Sequence, residues 1–531
     1  MSEARPDTEP QPSSPTTERG SGILGRLSVL TQPRWLAVAL FLAGVLVSLA
    51  YGPFKQREVG DSAIYDYIAQ SMLRGRMPYR DVIEMKSPGS IYPSALAIAV
   101  GRLTGLGDVR AIRLLYVLLA GLFSAVIFLT AHLYLRSRMA GVIASLLPLS
   151  VSQLSIMLNG GTEPKLLMMT FGLISMMFIL KDRPFWSGLF SMLSCLCWQP
   201  GLMFTGLSFL LFSRYLTSWR DRRALKVLLG GAIPLAMVVL HFYLKGALSD
   251  LWSWTIVFNY TVFRPDAQRS PGAALVHLGS VIRRAFNTES LAVGLAVVGW
   301  GLFLVQRVRA KLKSPGWLSS PDLYRDALLI PFLIYFAFSL INFQGGPDLI
   351  PFIPFFGIFF GWAVVEAGRW LDYTGLRNKL VRLVPGRMAI PGAAVALLIV
   401  LTVYRAATYR QETWTLQQQE EDCAVIAGLL GPRDNLYVHG AVDILVLLNR
   451  PNPNPYVALD AGADLYIAAH KPGGFADVID EIESAKPKIV VITRLRNVKR
   501  RAEIEKWVED HYDQLDLTRY DGLYARKRDA Q

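Results

Sequence analysis

The sequence predicts a polytopic α-helical membrane protein with a small α/β unit at its C-terminal end. Three observations predict it. Of 531 residues, 52% are hydrophobic and only 18% are charged, too little charge for a soluble chain of this length. Apolar runs of about 17–25 residues, the length that crosses a hydrocarbon core as a helix, recur from Trp35 to about residue 408. Beyond about residue 410 charges become frequent, and short β-branched runs alternate with helical patterns.

Residues 1–33 are rich in Pro, Ser, Thr and Glu and read as a disordered cytoplasmic tail. No cleavable leader is evident, and the first apolar run, Trp35 to Phe54, is long enough to remain as an anchor. Hydropathy gives eleven spans, near 35–54, 109–135, 139–155, 164–180, 186–198, 200–216, 227–245, 290–307, 327–342, 351–367 and 389–408. The step Trp198-Gln199-Pro200-Gly201 between the fifth and sixth reads as a tight hairpin or a kink. Loops 136–138, 181–183, 214–226, 307–313 and 369–387 each carry at least two basic residues, whereas the short loops 156–163 and 343–350 carry none. Basic loops stay in the cytoplasm, so the N-terminus is expected inside and, after an odd number of spans, the C-terminus outside. The expected units are the tail 1–33, a transmembrane unit 34–409 with an external first loop 55–108, and an external α/β unit 410–531.

Within the first loop, IYPSALAIAVGRLTG (91–105) is apolar but short for a crossing, and reads as a helix in the interface or docked on the bundle. The external segment 246–289 carries Trp252, Trp254, Phe258 and Tyr260, which fit an interfacial aromatic belt, then Arg264, Arg269, Arg283 and Arg284. In the C-terminal unit NLYVHG (435–440) and KIVVIT (488–493) read as strands, with helices near 474–485 and 499–509.

The net charge of +14 does not indicate a nucleic-acid partner, because the basic residues cluster at helix ends as topology signals do. Three cysteines make no paired framework and six scattered histidines show no zinc spacing. No GxxxxGK[ST] or convincing GxGxxG is present, which argues against a nucleotide as donor or energy source. The spans hold few ionisable groups, His132, His241 and Glu366 among the clearest, fewer than ion-coupled transport usually needs.

Chemistry concentrates in GDSAIYDYIAQSMLRGRMPYRDVIEMKSPG (60–89), just outside the first span. Asp61 follows Gly60, which allows a tight turn; it reads as a general base at the membrane rim or as a helix N-cap. Arg80, Asp81, Glu84 and Lys86 follow, between the stiffening Pro78 and Pro88. A cation there neutralises a developing lipid phosphate, unless the segment is only a solvated charged loop. Arg110 and Arg113 share a helical face at the start of the second span, as headgroup anchors or phosphate contacts. Glu163 in LNGGTEPKLL (158–167) and Asp348 in FQGGPDLIPFIP (343–354) are acids at external rims.

The run Ala69-Gln70-Ser71-Met72-Leu73-Arg74-Gly75-Arg76-Met77-Pro78-Tyr79-Arg80-Asp81, with Lys86-Ser87-Pro88, resembles the first loop of GT-C glycosyltransferases. It is most similar to the bacterial branch of the dolichyl-phosphate-mannose protein mannosyltransferase and aminoarabinose-transferase superfamily. NLYVHGAVDILVLLNRPNPNPYV (435–457) is similar to the soluble tail of many bacterial members. The resemblance implies a GT-C bundle with interfacial helices in the first loop, in the inner membrane. It also implies inverting transfer of a sugar from a polyprenyl-phosphate donor to a glycan, lipid or protein acceptor at the outer face. Asp61 would be the base and Lys86 would hold the donor phosphate, with Glu84 beside it and Arg113 as a second phosphate contact. Tyr79, Arg80 and Glu163 would complete the substrate contacts. Many relatives carry Asp-Glu where this chain has Asp61-Ser62, so any divalent metal would have to draw on Glu84 or Glu163 instead. A transporter or lipid flippase, and a GT-C scaffold that binds lipid without catalysis, are the rival readings.

Overall fold

The computed structural model describes residues 32–213, 222–262, 270–312, 329–341, 343–373, 386–411 and 414–527. The expected tail lies outside them except for residues 32 and 33, as do Arg264 and Arg269.

The membrane part is built from α1 (Pro33–Ala50), α2 (Gly60–Leu73), α3 (Ile91–Thr104), α4 (Asp108–Leu135), α5 (Arg138–Leu149), α6 (Ser152–Asn159), α7 (Pro164–Leu180), α8 (Pro184–Cys197), α9 (Leu202–Ser213) and α10 (Arg223–Leu244). It continues through α11 (Leu248–Trp252), α12 (Phe258–Thr261), α13 (Pro271–Phe286), α14 (Ser290–Leu312), α15 (Leu329–Ile341), α16 (Ile353–Tyr373) and α17 (Gly386–Thr408). Proline opens α1, α7, α8 and α13, where its missing N–H costs nothing and its fixed φ suits the first turn.

Ten of the eleven apolar segments overlap one helix each, and 139–155 overlaps two, α5 and α6. Among the described residues, six helical stretches are long and apolar enough to cross a membrane: Pro33–Ala50, Asp108–Leu135, Arg223–Leu244, Ser290–Arg309, Gly346–Leu371 and Met388–Thr408. The pair α5 and α6, bent by 71° just after Pro148, makes a seventh if it counts as one span. The apolar helices α7, α8 and α15 are shorter. The step at Trp198–Gly201 is a turn: α8 ends at Cys197 and a 3₁₀ turn leads into α9.

Position in the bundle follows side-chain type. The Gly346–Leu371 stretch is 83% buried, whereas α1 and the Met388–Thr408 stretch are 17% buried and turn Leu42, Leu46, Leu397 and Val400 outward. Helices α8 and α10 touch backbone to backbone: a β-carbon at Gly188 would lie 2.0 Å from the Val227 carbonyl oxygen, and one at Gly230 would lie 2.0 Å from that of Phe185. Lipid tails are as apolar as leucine, so small residues that permit such contact are what hold membrane helices together. In the first loop α3 buries Ile91, Ala95 and Ile98 and exposes Leu96, Val100 and Leu103, an apolar outer face suited to the membrane interface.

The C-terminal part starts at α18 (Leu416–Gly428), closed by a Thr415/Gln418 capping box. Its four-stranded sheet has the order β1 (Leu436–His439), β2 (Ile489–Ile492), β4 (Leu523–Arg526), β3 (Tyr512–Leu515). Strands β1 and β2 are parallel, with Leu436 opposite Ile489; β4 runs antiparallel to both its neighbours. All residues of β1 and β2 are buried, as expected of β-branched runs covered on both faces. The expected strands fall here, and helices at Ala476–Ser484 and Arg501–His511 match the two expected helical segments. Helix α2 lies against this part: Gln70 donates to the Val446 carbonyl (3.0 Å), and the Tyr67 hydroxyl accepts from the Asn452 amide (2.7 Å).

Gly188→Leu should force α8 and α10 apart and cost about 1–3 kcal/mol or more, as overpacking does. Thermal unfolding of the detergent-purified protein, read by tryptophan fluorescence, would register this as a lower midpoint.

Candidate functional site

The site rests on a buried cation. Arg113, near the start of α4, is wholly buried. Its Nη1 donates to the carbonyls of Pro53 (2.7 Å) and Gln56, and its Nη2 donates to Glu58 Oε2 (2.9 Å). Glu58 also exchanges two hydrogen bonds with Gln419 of α18, at 2.6 and 2.9 Å. Its carboxyl meets that of Asp66 on α2, and Asp66 accepts from the amide (3.2 Å) and the hydroxyl of Thr162. Glu58 Oε1 and Asp66 Oδ2 have no other donor, so a shared proton accounts for both. Burial raises both carboxyls, Asp66 from 3.8 to about 6.

This chain of contacts fixes the turn that carries Asp61. Gly60 adopts φ +71°, a left-handed conformation that strains other residues. Asp61 then stands in the first turn of α2; the N-cap is Val59, with no side-chain cap bond. The capping role weighed from sequence is therefore not its geometry. Its carboxylate, 67% exposed, accepts from Lys86 Nζ at 2.9 Å, and the Lys86 ammonium pulls its pKa down to about 2.

Lys86 is placed by its own backbone. Glu84 is buried, and its Oε1 accepts from the amides of Met85 (2.8 Å) and Lys86 (2.9 Å). Tyr79, in the left-handed region at φ 69°, donates its hydroxyl to the Lys86 carbonyl (2.7 Å). Gln199 and Asn259 both donate to the Met85 carbonyl, at 2.9 and 2.8 Å. The ammonium also meets the Tyr65 hydroxyl and lies 4.9 Å from that ring's centroid. Burial alone would lower the Lys86 pKa, but Asp61, Tyr65 and Glu84 outweigh it and hold the group charged. Burial raises the Glu84 carboxyl.

Opposite stands a second acid–base group. Glu163 caps α7, accepting from the Lys165 amide (3.0 Å), and burial raises its carboxyl while Lys165 and Lys86 oppose the rise. Lys165 pairs with Asp348 (3.2 Å) and lies 5.1 Å from the centroid of the Trp198 ring. Asp61, Tyr65, Lys86, Glu163, Lys165 and Asp348 line one cavity of about 410 Å³, whose remaining wall includes Arg57, Tyr409, Gln411 and Trp414.

No family model matches this sequence and no curated protein matches it. The architecture is nonetheless similar to solved structures. With ArnT from Cupriavidus metallidurans in the apo state the TM-score is 0.60 at 14% identity, over 96% of this chain and 99% of that one. With the same protein bound to undecaprenyl phosphate it is 0.56 at 16% identity, over the same shares. The chain has the GT-C glycosyltransferase fold. The archaeal oligosaccharyltransferase AglB from Archaeoglobus fulgidus, in complex with an inhibitory peptide and a dolichol-phosphate, is similar at a TM-score of 0.52 and 13% identity, over 93% of this chain and 74% of that one.

On this GT-C frame the structure brings Asp61, Lys86 and Glu163 to the cavity, with Glu84 and Tyr79 directly behind Lys86. Two expected substrate contacts stand elsewhere. Arg113 is spent beneath the loop with no exposed surface to offer a phosphate. Arg80 is at the surface, bonded to Asp81 and, at 3.0 Å, to the Lys245 carbonyl. Sequence reading missed Lys165, which begins an apolar helix and reads as a topology charge, and Tyr65, one more aromatic on an apolar-periodic helix. It also missed Arg494, whose Nη2 would lie 3.7 Å from a β-carbon at Gly60. Nothing local marks Arg494, because it arrives from the far end of the chain. Among the described residues no three carboxylate, imidazole or thiol groups gather about one point, and Lys86 already engages Asp61. The residues present thus do not fit a protein-held divalent ion.

Arg113→Met should leave the Glu58 carboxyl and the Pro53 and Gln56 carbonyls buried without their shared donor, costing about 3–5 kcal/mol, seen as a lowered unfolding midpoint. Asp66 has a raised folded pKa, so the stability it contributes is complete below the ordinary carboxylate range and is lost as pH rises through about 6. The unfolding midpoint should therefore fall between about pH 4 and 7, and less so in Asp66→Asn; a pH series of thermal melts checks this.

Proposed function

We propose that this protein is a membrane glycosyltransferase that moves a sugar from a polyprenyl-phosphate donor to an acceptor hydroxyl, with inversion. The observation that carries this reading is the Asp61–Lys86 pair, held from behind by buried contacts and opening on a cavity in a GT-C fold. Support comes from ArnT, solved with undecaprenyl phosphate, and AglB, solved with a dolichol-phosphate.

The pair explains how one site serves both substrates. With its pKa near 2 in the closed pair, Asp61 is a weak base. A donor phosphate competes for the Lys86 ammonium, and as Lys86 turns toward it the Asp61 pKa climbs back toward its ordinary value. Asp61 then takes the acceptor's hydroxyl proton as the acceptor oxygen attacks the anomeric carbon. The bond from that carbon to the phosphate oxygen breaks, and the electron pair leaves on the phosphate, which Lys86 and Lys165 stabilise. Lys165 replaces Arg113 as the second cation of this scheme.

In the same reading the chain crosses the inner membrane eleven times, with residues 1–33 in the cytoplasm. The unit 410–531 stands outside, over a site at the outer face that donor lipid enters laterally.

In purified membranes supplied with radiolabelled polyprenyl-phosphate sugars, Asp61→Asn should lower transfer by about 10²-fold or more. Lys86→Met should raise the donor KM as well as lower kcat. Equal labelling by wild type and Asp61→Asn, with both expressed equally, would remove Asp61 from the chemistry. A transporter, flippase or lipid-binding scaffold would give no labelled product with any variant.

A further inference from the structure

We infer that the cavity wall formed by Arg57, Gln411 and Trp414 is the acceptor subsite and that its ligand is a sugar ring, an inference that rests on the transferase reading above. The wall is built from two distant segments clamped together. Gln56 forms a backbone bridge with Thr415, and the Leu416 amide donates to the Lys55 carbonyl at 2.9 Å. The Arg57 guanidinium is thereby set 5.5 Å from the centroid of the Trp414 ring, and Tyr520 packs edge-on against that ring at 5.1 Å.

Two atoms of this wall point to a ligand. Gln411 Nε2 and Trp414 Nε1 are buried, and neither has a hydrogen-bond partner among the described residues. Buried N–H groups are rarely left unpaired, and each such vacancy costs on the order of 1–3 kcal/mol. Both residues line the same cavity as Asp61, so a side-chain turn that brings each N–H to the cavity face would let an oxygen-bearing molecule there satisfy them.

The chemistry of the wall selects among such molecules. Both orphaned atoms are donors, and the guanidinium beside them is donor-only. An extended peptide turns successive carbonyls to opposite sides and brings only alternate acceptors to one wall, whereas a sugar hydroxyl can accept from the wall and aim its own O–H elsewhere. A lipid phosphate would be drawn to the two ammonium groups of Lys86 and Lys165 in the same cavity rather than to a single guanidinium already stacked on Trp414. A sugar offers a ring of hydroxyl oxygens that accept from every donor present, and an apolar C–H face for the aromatic walls of Tyr409 and Trp414. The position fits as well. Arg57 precedes Asp61 by four residues, so their Cα atoms lie at most about 14 Å apart. A mono- or disaccharide held at Trp414 can present a hydroxyl to the Asp61 carboxylate.

The test is saturation-transfer NMR on the full-length protein in lipid nanodiscs. The probes are methyl hexopyranosides and short oligosaccharides, with a threonine-containing peptide for comparison. Trp414→Phe keeps an aromatic ring against Tyr520 and deletes only the N–H, and Gln411→Glu replaces the donor with an acceptor at constant shape; both should elute as wild type on size exclusion. The expected result is saturation of glycoside protons by wild type, with affinity reduced about fivefold in each variant, and none of the peptide. Saturation of the peptide alone, no glycoside signal in wild type, or glycoside binding unchanged in both variants would overturn the subsite. The membrane labelling assay separates the two readings. Labelled transfer by wild type with variant-insensitive glycoside binding sinks only the subsite. Variant-sensitive glycoside binding without transfer from any lipid-linked sugar keeps a sugar site and sinks the transferase.

Discussion

A guanidinium cut off from water must be surrounded by acceptors, and Arg113 imposes that requirement on everything around it. Two backbone carbonyls and the Glu58 carboxylate converge on it, which fixes residues 53–58 against α4. Glu58 passes the constraint on, through Asp66 to Thr162 and through Gln419 to α18. Three of the parts that wall the cavity, the turns at 57–62 and 160–163 and the residues Tyr409, Gln411 and Trp414, thus take their places from one buried charge. Ion pairs of this kind are poor sources of stability and good sources of geometric definition, and definition is what the proposed two-substrate site requires.

Around that anchor the site is organised by competition for cations. Lys86 holds Asp61 and Lys165 holds Asp348, so neither ammonium is unpaired and neither carboxylate faces the cavity uncompensated. An incoming anion must displace a carboxylate to gain a lysine, and the displaced carboxylate becomes more basic as it is released. In the proposed reaction, binding of one substrate and activation of the other are then one electrostatic event. The backbone bonds from Glu84 and Tyr79 keep Lys86 anchored while its ammonium changes partners.

Much of this was legible in the chain. Hydropathy located the apolar helices because lipid demands uninterrupted apolar length, and β-branched runs located β1 and β2 because both faces of those strands are buried. Asp61 stood out as an acid directly after the first span, and Glu84 and Lys86 as charges between Pro78 and Pro88 at a membrane rim. Arg113 was legible as unusual and misread in role. A cation at a helix start looks the same whether it faces headgroups or turns inward, and only the fold of residues 53–58 decides which. Lys165, Arg494, Gln411 and Trp414 were hidden for a related reason. Each owes its place, at the cavity or, for Arg494, beside Gly60, to a contact across the molecule, and no window of local sequence encodes such a contact.

The hydrogen bonds between Glu58 and Gln419 join residues 361 positions apart. Until the last quarter of the chain has been made, the loop bearing Asp61 lacks one of its supports. Closing so long a loop is entropically modest, but it cannot begin early, and domains of large proteins organise as the chain emerges. A stalled or truncated chain would therefore carry every apolar helix and the Asp61–Lys86 pair in sequence, and still lack a fully supported pocket. The order of synthesis becomes a safeguard: the cavity that the proposed reaction would use is complete only once the end of the chain is in place.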